Sequence, residues 1–449
     1  MVTLHSLSRN VADWLRPAIE PTSEKDPAHL RQPLPIRRIA AQAAGMWLAT
    51  RVALLLITLL ARAFGFAPLA PVPLSVFPAN PQYAPLLLPL LAPHPILASW
   101  VHWDASWYLL IGIHGYDIFT ADSTGFFPMY PLQIRLLTLL FGNAAVLPVA
   151  LLLSNLASLA AFIGLGLLAA HEAGPARAPT NASARLIRVT AAYPFAFFLF
   201  APFTEGFFLA CVVFSFLCAR RGHWRWAAAC AFLAGLTRPT AVALVPALAW
   251  EYGRQRGLWQ RAAWRAGAWR TTDRLRTLAK GIAVAAAVPL GLGCYLLFLG
   301  LRYGDPMTPF TAQDLYHGHQ NWPVWQTLAE LIGRFFSPPV WPPAAALLYL
   351  DGGILIIFLV ITLLNIRRLP LLYTLYMLAT LYLLLATPIP HRKEFIPSAG
   401  RYLLMSVPIF LLFSRWIERW PWLEMVLVGG CFMLQGLFVV FFLNGLWIE

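Results

Sequence analysis

Between Lys280 and Arg302 the chain runs 21 residues without a formal charge. A helix of that length rises about 30 Å, the thickness of the hydrocarbon core of a bilayer. Similar apolar runs recur along the sequence, separated by short stretches rich in arginine, and this alternation leaves few folds open. In lipid every backbone polar group must be satisfied within the protein, which continuous apolar segments achieve as helices. The expected class is an all-α polytopic membrane protein. Charged residues make up only 12% of the 449 and hydrophobic ones 59%, against roughly 25% charged in a soluble domain. A net charge of +14 would suggest nucleic acid in a soluble protein. Here the cations sit in short loops, where membrane topology and anionic lipid account for them, so no nucleic-acid partner is expected. The five cysteines (Cys211, Cys218, Cys230, Cys294, Cys431) lie inside apolar runs without C-x-x-C pairing and read as small core residues.

The cations also orient the chain. Residues 1–41 carry Arg9, Arg16, Lys25, Arg31, Arg37 and Arg38 and no cleavable apolar segment, which predicts a cytoplasmic N-terminal segment. The membrane domain then fills 42–449, with a first span at 42–62, a long outer loop at 63–142 and a second span at 144–170. The apolar run 186–219 is interrupted by Pro194 and by Pro202-Phe203-Thr204-Glu205-Gly206, which predicts two short spans joined by an outer turn. The run 226–250 reads at first as one span, yet one crossing would place the eight cations of 251–280 outside. The break Thr237-Arg238-Pro239 resolves the conflict, because proline disrupts the preceding turn. Two short helices, 223–237 and 240–254, are expected to meet at Arg238. Spans at 281–301, 343–364, 370–388, 401–414 and 421–443 bring the count to eleven, with a second outer loop at 302–342 and another at 389–400.

On this topology polar clusters from separate segments converge on the outer face, and polar groups beside apolar segments are costly and usually functional. The first is His102-Trp103-Asp104-Ala105-Ser106-Trp107-Tyr108, followed by Tyr116-Asp117 and Tyr130. If 101–112 is helical, Trp103 and Trp107 share one face while Asp104 and Tyr108 share the next. A carboxylate against indole rings loses solvation and gains basicity, so Asp104 is the candidate general base. The plainer reading is an interfacial aromatic belt with a capping aspartate. For Asp117 an ordinary Gly-Tyr-Asp turn is favoured. Arg238 beside its helix break suits a grip on a lipid phosphate or, more plainly, a pair with Glu205. Arg392, Lys393 and Arg401 place three cations where topology calls for few, which again suits a phosphate. The loop with Asp305, Gln313, His317 and His319 mixes turn formers and hydrogen-bonding groups. Its histidines stand two apart, too close for the i,i+4 pair of a helical metal site. No cofactor is evident, and dependence on a divalent metal is left open.

Taken together, these residues resemble a known family. Trp103-Asp104-x-x-Trp107-Tyr108-x-x-Ile111-x-x-x-Gly115-Tyr116 and Phe126-Phe127-Pro128-x-Tyr130-Pro131-x-x-x-Arg135 look like the PIG-V family of GPI mannosyltransferase 2 and its prokaryotic relatives. Ala201-Pro202-Phe203-Thr204-Glu205, Gly235-x-Thr237-Arg238, Gly304-Asp305-Pro306 with Ala312-Gln313, and Arg401-Tyr402 follow in the same order, so the resemblance covers roughly 45–415. It implies a GT-C glycosyltransferase fold, a polyprenyl-phosphate sugar donor (typically mannose), a lipid or glycan acceptor, and a catalytic acid in the first outer loop that maps onto Asp104. With the clustering of charge beside it, donor-phosphate contacts are expected from Arg238 with Arg392, Lys393 or Arg401. Substrate contacts are then expected from His102, Trp103, Trp107, Tyr108, Tyr116, Asp117, Tyr130, Glu205, Asp305, Gln313 and Tyr402. A multi-pass place in a prokaryotic plasma membrane, with the site facing outward, completes this expectation. The alternative is a transporter or flippase for a polyprenyl-phosphate-linked sugar.

Overall fold

The computed structural model describes residues 34–66, 83–117, 123–174, 178–260, 272–312, 318–340, 342–391, 395–396 and 398–446. It is all-helical, with 79% helix and no strand among the described residues. Among the described residues five helices are long and apolar enough to cross a membrane: Ile36–Ala63, Asn143–Ala173, Thr272–Tyr303, Ala345–Leu364 and Glu424–Leu443. The architecture is that of a helical membrane protein. In chain order the elements used below are α1 (Ile36–Ala63), α2 (Asp104–His114), α3 (Met129–Phe141), α4 (Asn143–Ala173), α5 (Pro179–Ala192), α6 (Glu205–Arg220), α7 (Trp224–Thr237) and α8 (Leu244–Gln255). They continue as α9 (Thr272–Tyr303), α10 (Val324–Phe336), α11 (Ala345–Leu364), α12 (Leu371–Ala386), α13 (Val407–Arg419) and α14 (Glu424–Leu443).

The expected breaks all occur, and each has a local cause. The run 186–219 ends its first helix at Ala192, passes through a short 3-10 turn at Ala196–Leu199 and restarts at Glu205. At Arg238 the backbone is extended, φ −155° and ψ 143°, because the ring of Pro239 disfavours the helical region for the residue before it. The late segment departs from expectation. In place of one helix over 401–414 there is a four-residue turn of helix at Ala399–Tyr402, a 3-10 turn at Leu403–Met405, and then α13. Pro408 in the first turn of α13 fits a helix start and not a helix interior.

Two antiparallel relations fix the bundle. Gln255 Nε2 donates to Ala219 O at 2.8 Å and Arg220 meets Glu251 at 3.2 Å, so the C-terminal ends of α6 and α8 lie together. Since α7 starts four residues after α6 ends, α7 and α8 form a hairpin whose apex is Arg238. Close approach of α7 to α9 depends on glycine: a Cβ on Gly235 would stand 2.6 Å from the Val288 carbonyl, and one on Gly291 would collide with the Phe232 carbonyl. Such small residues let membrane helices approach backbone to backbone.

The region after Arg302 holds more order than a loop of turn formers would suggest. It contains α10, whose Leu331 is buried while Trp325, Ile332 and Phe336 are exposed.

Candidate functional site

Four charged side chains from four distant segments meet at the apex end of the hairpin. Asp104 opens α2 and Glu205 opens α6, so each carboxylate sits at the positive end of a helix dipole. Arg238 caps the C-terminal, negative end of α7. Arg401 comes from the short turn Ala399–Tyr402, which follows Ser398 in a left-handed conformation with φ 61°.

The contacts form one chain. Arg401 Nη1 lies 2.9 Å from Asp104 Oδ2, Arg401 Nε donates to Glu205 Oε1, and Arg238 Nη2 donates to the same oxygen at 2.6 Å. Rings enclose the cations: the Arg401 guanidinium stands 4.6 Å from Phe203 and 4.9 Å from Phe198, and Arg238 stands 5.3 Å from Tyr402. Two carboxylates and two guanidiniums balance in charge, which is what makes such burial tolerable.

Exposure is distributed unevenly along that chain. The Glu205 side chain is 0% exposed and Arg401 2%, while Asp104 keeps 27%. Asp104 is therefore the accessible end of an otherwise sealed network. Its neighbour across the contact is a guanidinium, where the sequence suggested an indole stack. Trp103 lies outside α2, with φ 46°, so it does not share a helix face with Trp107. Tyr108, one turn along from Asp104, is buried and within the electrostatic reach of all four charged groups.

Among the described residues, the buried Arg238 Nη1 and Glu205 Oε2 meet no hydrogen-bond partner, a costly condition for buried polar atoms. Arg238 also lines a small pocket with Thr240, Thr380, Tyr402, Phe208 and Leu384.

The remaining candidates take other positions. His102 is buried, and its Nε2 donates to Ser99 O at 3.1 Å while its ring packs on Phe442. Trp107 stacks on Phe126 at 5.6 Å and meets the edge of Tyr83 at 5.0 Å. The Tyr116 hydroxyl donates to Phe126 O, and that of Tyr130 reaches Ala150 O and Ser154, each at 2.7 Å. These are framework bonds. Tyr130 acts through Ser154, which donates to Phe203 O and so steadies the ring over Arg401. Asp117 is exposed and holds Arg302 and Tyr303 at the end of α9, at 2.9 and 2.7 Å. Asp305 closes a turn by accepting from the Met307 amide at 2.8 Å. Arg392, Lys393, Gln313 and His317 lie outside the described residues.

Two further polar assemblies escaped the sequence reading. At the opposite end of the bundle Arg220 joins Glu172 at 2.7 Å to Glu251 at 3.2 Å, and the Tyr373 hydroxyl donates to Glu172 at 2.8 Å. Both acids are 1% exposed. In the middle of α1, Arg51 is buried and donates to Asn155 Oδ1, Ser158 Oγ and Leu199 O. The signal for Arg51 was available: a lone cation inside an apolar run is rarely idle. The same holds for Asp351, the buried carboxylate of α11, whose Oδ1 accepts from the Gly400 amide at 2.7 Å.

Fold and network together define an all-helical membrane protein with a buried, charge-balanced cluster that surfaces at one aspartate. Comparisons with known protein families, with curated proteins and with solved structures return no match.

Proposed function

We propose that the protein is a glycosyltransferase that moves a sugar, mannose in the first instance, from a polyprenyl-phosphate donor to a hydroxyl of a lipid or glycan acceptor. The GT-C fold, the eleven-span topology and a site facing outward from a prokaryotic plasma membrane belong to the same reading. The observation that carries it is the Asp104–Arg401–Glu205–Arg238 chain, drawn from four segments and accessible at Asp104. The sequence resemblance in motif order adds to it.

The chemistry suits that inventory. Hydrolysis of an unactivated glycoside generally takes two carboxylates, one of which protonates the leaving alcohol. A lipid phosphate departs as an anion and needs no proton, so one base and adjacent cations suffice. Asp104 takes the proton of the acceptor hydroxyl as its oxygen attacks the anomeric carbon. The bond from that carbon to the phosphate oxygen breaks, both electrons leave with the phosphate, and the configuration inverts. Arg401 and Arg238 stabilise the charge that grows on the departing group. Arg238 Nη1, buried without an acceptor among the described residues, offers a donor to a phosphate oxygen.

A flippase for the same lipid-linked sugar remains the second reading, favoured by the helix broken at Arg238, since discontinuous helices line transporter sites. Incubation of purified protein with polyprenyl-phosphate-mannose and a lipid acceptor separates the two, because a flippase forms no new glycosidic bond. Asp104→Asn protein that transferred sugar at the wild-type rate would falsify the assignment of the base.

A further inference from the structure

We propose that Asp351 is a positioning residue, which aims the Arg401 guanidinium through the backbone of Gly400; the assignment rests on the transferase reading above. Asp351 lies in a five-residue π-helical widening, Leu348–Gly352, near the start of α11. Such widenings are rare inside helices and gather at functional sites. The extra residue turns a carboxylate inward from an otherwise apolar span, and Asp351 ends 3% exposed with its Oδ1 on the Gly400 amide at 2.7 Å. The next residue along the chain is Arg401.

Every neighbour of that peptide is fixed. The Gly400 carbonyl accepts from the Tyr193 hydroxyl at 2.7 Å. A Cβ on Gly400 would collide with the Phe195 ring, so any other residue here forces the ring or the turn to shift. Ser398, two residues earlier, sits in the left-handed region that non-glycine residues seldom occupy. Local strain of this kind persists where the surroundings over-determine it. The π widening is itself held from outside, since a Cβ on Gly352 would come within 2.8 Å of Leu331 and 2.9 Å of Phe335 on α10.

Two salt bridges and two ring contacts depend on where this turn points Arg401. Its guanidinium divides between Asp104 and Glu205, and the geometry of that division decides whether Asp104 faces an incoming hydroxyl. Asp351 touches neither the proposed base nor any substrate position. Its effect runs through the angle of Arg401, which pairs with the proposed base and faces the donor phosphate, so kcat falls and donor KM rises together.

The test compares wild type, Asp351→Asn and Asp351→Ala as purified full-length protein, with polyprenyl-phosphate-mannose and a lipid acceptor, reading kcat and donor KM separately alongside size-exclusion profile and melting temperature. The asparagine oxygen still accepts from the Gly400 amide, whereas alanine leaves that donor without its partner. Alanine is expected to lower kcat about tenfold or more and to raise donor KM, as small misplacements of catalytic groups do. Asparagine is expected to stay within about threefold of wild type, because its amide oxygen keeps the acceptor for the Gly400 amide. A folded alanine variant with wild-type kcat overturns the proposal, as does an asparagine variant no better than alanine. Failure of the alanine protein to fold while asparagine is both folded and fully active assigns Asp351 to stability alone and overturns it too. Should wild type itself make no glycosidic bond, the transferase reading fails first and this assignment falls with it.

Discussion

At Asp104 the arrangement poses a chemical trade. The carboxylate that is proposed to take a proton is ion-paired to Arg401 at 2.9 Å, and a base so paired works best once the guanidinium has a second anion to attend. A donor phosphate supplies that anion. Asp104→Asn is therefore expected to leave donor binding nearly intact while transfer falls by about a hundredfold or more, the usual scale for removing a general base; equilibrium binding and single-turnover rates measure the two separately. His102 gives a prediction of another kind. Burial pushes its imidazole down to about 4, against a smaller opposing effect of the Ser99 carbonyl. The unfolded chain, with an ordinary histidine, binds a proton that the folded chain refuses between about 6.5 and about 4. The contribution of neutral His102 is thus complete above about 6.5 and shrinks as pH falls toward 4. The melting-temperature difference between wild type and His102→Phe should shift against wild type across that window, and a pH-independent difference would refute the reading. Gly400→Ala, which drives a methyl into the Phe195 ring, is expected to cost about 1–3 kcal/mol by overpacking, seen as a lower melting point.

Among the elements, the helices read most easily from sequence were those whose limits are set by local chemistry. Pro239 placed the α7–α8 break at Arg238, and Pro202 through Gly206 placed the start of α6. Charge at the end of the apolar run fixed the C-terminal end of α9, expected at 301 and found at Tyr303, whereas its start at Thr272 precedes the expected 281 and takes in Arg274, Arg276 and Lys280. The turn at Ala399–Tyr402 was missed because its cause is tertiary: the Asp351 carboxylate and the Tyr193 hydroxyl hold Gly400 from 49 and 207 residues away. The glycines of α7 and α9 carry the element-scale prediction. Gly291→Val should separate the two helices, lower the melting point and disturb Arg238 at the hairpin apex, so transfer and stability should fall together. Gly293→Ala, where a Cβ meets nothing within 4 Å, is the control that should leave both unchanged.

Over the whole molecule, two polar layers stand at opposite ends of α6, whose 16 residues separate them by roughly 22 Å. One layer is the proposed active site, and the other is Glu172–Arg220–Glu251 with Tyr373. Half of this was legible in sequence. Asp104, Glu205, Arg238 and Arg401 stood out as charges beside aromatic or broken segments. Glu172 and Glu251 looked like ordinary residues flanking cytoplasmic loops, because nothing local announces that Arg220 will fold between them. Removal of one partner strands buried charge, so Arg220→Ala is expected to cost about 3–5 kcal/mol and to reduce the yield of monodisperse protein, whereas Arg225→Ala at an exposed position should not. The α7–α8 hairpin has a last consequence, for how the chain is made. Helices of 14 and 12 residues are too short to partition into lipid as independent spans, and each carries a charged residue to the apex or the base. A nascent chain that has emerged only to residue 260 lacks α9, whose Gly291 face receives α7. The hairpin must then wait, partly in water, until α9 arrives to wall it in. Synthesis should show a late acquisition of protease resistance, timed to the emergence of Tyr303 and not of Gln255.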